Sequence, residues 1–132
     1  IGALPPGMRL LEQAPLHLLL PGCDLVVHHG GAGCTMTALA AGVPQLAISN
    51  GLDQHVNARR VTAAGAGADL RGHLAGTDAI RTAAAGLLGS AEARASAGRL
   101  REQIDRNPSP AELAAALERL AAGAVPSHGG GR

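Results

Sequence analysis

The chain has 132 residues and contains no Lys, Phe, Tyr or Trp. Aromatic rings each bury roughly 150–250 Å² when packed. Without them, the core must be assembled from Leu, Val, Ile, Ala and Met, and it is thin for the length. Charge of either sign is also scarce in excess: 11 basic residues, all Arg, face 10 acidic ones, for a net charge of +1. That balance gives no electrostatic case for nucleic acid or for an anionic membrane as partner. Apolar runs stay shorter than the about 18 residues a membrane-spanning helix requires. No secretory signal pattern is present, so a cytoplasmic location is expected. A chain beginning at Ile1 is expected to be incomplete, and its length bounds it to one domain or less.

Cysteine is limited to Cys23 and Cys34. They flank the expected strand Asp24–His28, whose residues at about 3.3 Å each separate them by roughly 16 Å. A disulfide tolerates no more than ~7 Å between Cα atoms, so both thiols are expected to be reduced, as in the cytosol.

What is present is punctuation by glycine between short apolar runs. A short strand is expected over Met8–Glu12, and Pro15 opens a helical turn, Leu16 to Leu20, that Pro21-Gly22 ends. Leu25–His28 reads as a strand buried on both faces. A helix is expected to run from Cys34 or Thr35 to Ala41 and to close at Gly42. Gln45–Ile48 forms the next strand and Ser49–Leu52 a loop. Asp53 is placed as N-cap of a helix to Ala64, which Gly65 stops. A strand Ala66–Leu70 follows, then helices from Thr77 or Asp78 to Leu88, from Ser90 to Arg106, and from Pro110 to Ala122. Strands alternating with helices predict a parallel α/β sheet. The Gly-rich stretch Val125–Arg132 is expected to be a flexible tail.

The most informative stretch is Val26 to Asn57. An apolar strand ends in His28-His29, the turn Gly30-Gly31-Ala32-Gly33 follows, and a helix begins at Cys34. Backbone N–H groups and the positive end of a helix dipole then converge on one point, which suits phosphate. A histidine at its mouth adds a donor that carries charge near neutral pH. Glycines alone are a weak signal, since any tight strand-to-helix turn uses them. Neighbouring strand residues point to opposite faces, so His28 and His29 cannot both address one ligand. His28 is the expected phosphate contact, and His29 either a packing residue or one that supports the ligand contacts from behind. The same geometry argues against a metal site at this pair, and Cys34 completes no familiar ligand spacing.

The linked strings HHGGAG, TALAAGVPQL and DQHVNARRV, with the tail Pro108-Ser109-Pro110-Ala111-Glu112, resemble the donor-binding region of bacterial glycosyltransferases that decorate polyketide antibiotics. These belong to the GT-B superfamily that also holds the UDP-glycosyltransferases. The resemblance runs from about Met8 to about Leu120. It implies a parallel Rossmann-like sheet forming the second half of a GT-B C-terminal domain, with residues 1–122 a partial donor domain and 123–132 the tail. The acceptor domain, which would carry the general base, lies outside this sequence, so no catalytic residue is assigned here.

The resemblance further implies that His28, Gly30, Gly31, Ala32, Gly33 and Cys34 hold the donor diphosphate, and that Asp53 and Gln54 bind the donor sugar. Ala14 and Leu16 would hold the base through backbone groups. Cys34 departs from the usual Thr, exchanging a good hydrogen-bond donor for a poor one. Gln13 stands where many members stack an aromatic, and no acidic residue lies near Met36. Both departures favour a dTDP-deoxysugar over UDP-glucose as substrate. No cofactor or metal is implied. The implied activity is inverting transfer of the sugar to a hydroxyl of a polyketide or similar aglycone, with the hydrophobic acceptor bound by the other domain. A homodimer is among the admissible assemblies. Other readings are a non-catalytic nucleotide-sugar-binding module or partner subunit, and a nucleotide-sugar epimerase on the same fold.

Overall fold

A computed structural model describes residues 4–123. The element order is α1 (Leu16–Leu19), β1 (Val26–His28), α2 (Ala32–Ala41), β2 (Gln45–Ser49), α3 (Leu52–Ala63), β3 (Gly67–Arg71), α4 (Thr77–Gly89), α5 (Ala91–Asp105) and α6 (Pro110–Gly123), with short 3-10 turns at Leu20–Gly22 and Gly72–Leu74. The three strands form one sheet in the order β1-β2-β3, parallel throughout. His28 lies opposite Ala47, and Ala47 opposite Asp69. The C-terminal ends of β1 and β2 therefore open on the same side of the sheet, where open α/β sheets bind ligands.

The alternation of strand and helix is met, and the fold is that of GT-B glycosyltransferase C-terminal domains. With no aromatic available, the interior uses small side chains at close approach. Leu20, Ala38 and Val43 form one buried cluster with Val26 and Ala41 against it; Val61, Ala66 and Ala97 form another, joined by Leu100. Leu46, on the central strand, is fully buried. Gly42 ends α2 in the left-handed region (φ 70°), returning its N–H to the carbonyl of Ala38. Ser90 Oγ caps α5 by accepting from the N–H of Ala93 at 3.0 Å, as its position predicts. Ser109 and Glu112 form a capping box at the start of α6.

Several boundaries differ from expectation. Met8–Glu12 is not a strand: these residues are exposed, and no strand among the described residues pairs with them. Apolar composition alone does not make a strand when no ladder satisfies its backbone. The second helix begins at Ala32, with extended Gly31 (φ −63°, ψ 147°) as its N-cap, earlier than Cys34 or Thr35. The third begins at Leu52 with Gly51 as N-cap, so Asp53 is an exposed first-turn residue and not the cap. The tail expected over residues 123–132 lies outside the described residues except for Gly123, which ends α6. Cys23 is exposed and Cys34 half-buried, and both are free thiols.

Candidate functional site

The turn after β1 and the turn after β2 are held against each other. Gly30 is left-handed (φ 84°), and a Cβ there would come within 3.0 Å of the Gln54 carbonyl oxygen. The Asn57 amide donates to the Gly30 carbonyl at 3.1 Å. The glycine turn and the Asp53-Gln54 turn thus lie side by side beyond the strand ends. Ala32, Gly33 and Cys34 open α2, so their N–H groups have no acceptor within the helix. The positive end of the α2 dipole points the same way.

His28 sits differently from expectation. The Gly30 N–H donates to its Nδ1 at 3.1 Å, and its Nε2 lies 2.9 Å from Gln45 Oε1. A nitrogen accepting an N–H carries no proton, so the imidazole is the neutral Nε2–H tautomer, donating to Gln45. Gln45 is 1% exposed and donates from its own amide to the Thr35 carbonyl at 3.3 Å. Both ring nitrogens of His28 are occupied within the protein, leaving none for a phosphate. The Gly30 N–H is occupied as well. Burial, the largest cause, lowers the His28 pKa; the Gln45 hydrogen bond opposes this and the charge of His29 adds to it. The group is built to stay neutral.

His29 is the exposed member of the pair. Its ring stands edge-on to that of His28, with the planes at 84°. A Cβ on Gly31 would overlap His29 Nε2, so this nitrogen lies directly beside the glycine turn. Strand alternation does not part the two rings: His29 lies beyond the end of β1, and the ring centroids are 6.3 Å apart, with the exposed His29 lying beside the glycine turn.

At the other turn, Gln54 Oε1 accepts the N–H groups of Asn50 and Gly51 at 3.0 and 3.1 Å. Gln54, the third residue of α3, thus reaches back to hold the N-cap residue Gly51, while Asp53, the cap expected from the sequence, makes no such bond. The Gln54 amide nitrogen remains available to a ligand, as does the exposed Asp53 carboxylate. Together they offer donors and acceptors, as a polyhydroxylated ring demands. Ala14 and Leu16 lie at the start of α1, ahead of Leu20, which packs against Ala38 of α2. Ser49, His55 and Asp69 form a hydrogen-bonded group that sequence reasoning missed, as it missed Gln45. Gln45, the one polar side chain within the run Val43–Ile48, was the available signal.

A parallel α/β half-domain whose strand ends carry a glycine turn, a helix N-terminus and an Asp-Gln pair has the architecture of a GT-B glycosyltransferase C-terminal domain. Residues 1–120 match the family described as erythromycin biosynthesis protein CIII-like, C-terminal domain, and the chain belongs to that family. It is 42% identical over 119 residues to aklavinone 7-beta-L-rhodosaminyltransferase of Streptomyces galilaeus, covering 90% of this chain and 27% of that protein. It is 38% identical over 123 residues to 3-alpha-mycarosylerythronolide B desosaminyl transferase of Saccharopolyspora erythraea, covering 93% and 29%. Among solved structures, spinosyn forosaminyltransferase SpnP aligns with a TM-score of 0.86 at 34% identity, over 92% of this chain and 33% of that one. Glycosyltransferase VinC in complex with dTDP aligns at 0.85 and 35% identity, over 91% and 30%. The chain spans about a third or less of the length of these relatives and corresponds to the C-terminal part of such antibiotic glycosyltransferases.

Proposed function

We propose that this domain binds a dTDP-deoxysugar and works with an acceptor-binding half to transfer the sugar, with inversion, to a hydroxyl of a polyketide or similar natural product. The observation that carries this reading is the meeting of two turns: the unsatisfied N–H groups of Ala32, Gly33 and Cys34 lie beside the Asp53-Gln54 turn, joined by Gly30 and Asn57. The VinC structure holds dTDP, and the spinosyn rhamnosyltransferase SpnG is described in complex with thymidine diphosphate. In the reaction, the acceptor oxygen attacks the anomeric carbon as the bond to the diphosphate oxygen breaks. The acceptor proton passes to a base on the other half. The α2 N-terminus and His29 receive the charge that develops on the departing diphosphate, a preorganised electrostatic role. His28 acts one step back, by fixing the turn. Ala14 and Leu16 are assigned the base, through backbone groups.

Calorimetry with dTDP and UDP tests the reading directly, and dTDP is expected to bind the more tightly. A folded protein that binds neither nucleotide would sink it. Residues 1–132 alone are expected to form no glycoside from dTDP-sugars and polyketide aglycones, because the base is placed elsewhere. Turnover by this piece would overturn that placement.

Cys34→Thr is expected to tighten dTDP binding. Cys34 is the third residue of α2, and a hydroxyl there adds a donor to a charged group, worth about 1.5–3 kcal/mol at most. Helical threonines also bond back to the fourth preceding carbonyl, as Thr37 does to Gly33 at 2.8 Å. For residue 34 that carbonyl is Gly30, already engaged by Asn57. Because the backbone N–H groups of Gly33 and Cys34 already serve the diphosphate in this reading, the low end of the range, roughly tenfold in Kd, is expected. Equal or weaker binding in calorimetry would mean that residue 34 faces away from the diphosphate.

A further inference from the structure

Ser49 is the last residue of β2 and is fully buried. Its hydroxyl donates to Asp69 Oδ1 at 2.5 Å, and it lies 2.6 Å from His55 Nδ1. With its single proton directed to the carboxylate, Ser49 Oγ must accept from His55, which places a proton on His55 Nδ1. The group joins three elements: Asp69 on β3, Ser49 on β2 and His55 on the first turn of α3. That first turn carries Asp53 and Gln54. Its N-cap, Gly51, has no side chain to hold it, and Gln54 bonds only to the turn residues Asn50 and Gly51. These local bonds shape the turn without fixing it to the sheet. The His55–Ser49–Asp69 chain supplies that anchorage, and does so from a buried hydroxyl that cannot exchange its partners for water.

We propose that Asp69 and Ser49 are positioning residues for recognition of the donor's sugar, holding the first turn of α3 through His55 and so fixing where Asp53 and Gln54 face. The proposal rests on the donor-binding reading above and adds to it the residues that set the sugar subsite. Neither Asp69 nor Ser49 is assigned a contact with the donor. Their replacement should therefore separate the sugar from the diphosphate: affinity for dTDP stays, and the additional affinity that the sugar confers is lost.

The test uses Asp69→Leu, His55→Leu and the conservative Asp69→Asn, which retains an oxygen to accept from Ser49. Each is made in a chain that carries this domain together with the acceptor-binding half. Hydrogen exchange is followed at residues 52–56 and at residues 32–36, and calorimetry is run with dTDP and with dTDP-glucose. In Asp69→Leu and His55→Leu, exchange at 52–56 should rise about fivefold or more while 32–36 stays unchanged. The ratio of dTDP to dTDP-glucose dissociation constants should fall by about fivefold, the worth of one net hydrogen bond. Asp69→Asn should restore both. Unchanged exchange and an unchanged ratio in the leucine variants would overturn the proposal. So would an equal loss of both ligands with faster exchange throughout, which marks a general packing role. If the unaltered protein fails to bind dTDP, the donor reading fails, while the exchange data still decide whether the anchorage exists.

Discussion

Replacing His29 by alanine is expected to lower turnover by about 10²–10³, the usual cost of removing one preorganised donor from a developing anion. The unfolding midpoint should hardly move, because the ring is exposed and no hydrogen bond to it is found among the described residues. His28→Ala should behave in the opposite way. It strips a partner from the Gly30 N–H and from the buried oxygen of Gln45. An unsatisfied buried polar group costs about 1–3 kcal/mol, so the loss appears first as stability. Steady-state kinetics and thermal denaturation of the two variants, in a chain carrying both halves, check the crossing. A folded His28→Ala of unchanged stability but lost turnover would return the phosphate contact to His28.

The lowered pKa of His28, caused chiefly by burial, adds a pH dependence. The native state binds fewer protons than the unfolded chain, where a histidine titrates near about 6.5. The stabilisation is therefore fully present above that pH, and it is lost as the pH falls through the lowered native value. The unfolding midpoint should drop on acidification below about pH 6.5, and His28→Ala should flatten that drop. A midpoint equally pH-dependent in both proteins would assign the effect to other groups.

Gly30→Ala is expected to harm stability and binding together. A left-handed backbone costs an L-residue about 1–2 kcal/mol, and the new methyl would stand 3.0 Å from the Gln54 carbonyl. Relief of that contact requires the first turn of α3 to retreat, carrying Asp53 and Gln54 with it. Denaturation should show a midpoint lower by about 5 °C or more, and calorimetry should show weaker binding of dTDP-sugars. Gly31→Ala is the informative control. Its methyl meets only the far end of the His29 side chain, which can swing away. It should therefore spare stability while approaching His29→Ala in turnover. Wild-type stability and affinity in Gly30→Ala would show that the two turns are not in contact in solution.

Much of this was legible because glycines and prolines mark the ends of the elements, and the apolar runs between them are short. The strand ending at His28, the strand expected over Gln45–Ile48, which in the structure extends one residue further to Ser49, and the helices closed by Gly42 and Gly65 follow from that punctuation. The helix starts were less legible. Glycine serves as N-cap at both turns through an extended backbone alone, and no side chain announces it. The roles of the two histidines could not be assigned from the strand itself, because the residue that decides them, Gln45, lies 17 positions downstream. Ser49 and Asp69 are 20 apart, and neither has a pattern in its own neighbourhood that points to the other. Met8–Glu12 failed for the converse reason, since a strand is defined by its neighbour as much as by its composition.

The bonds around Gly30 run unbroken from the Thr35 carbonyl through Gln45 and His28 to the Gly30 N–H, and from the Gly30 carbonyl to Asn57. One residue, through its two flanking peptide groups, thus transmits displacement between the helix that would cradle the diphosphate and the helix that would face the sugar. Linkage makes such coupling reciprocal: a sugar that settles α3 also sharpens the grip on phosphate, by the same factor. Donor fragments offered separately, a nucleoside diphosphate and a free hexose, should consequently each bind better in the presence of the other. Cutting the strut with Asn57→Ala should make their binding independent.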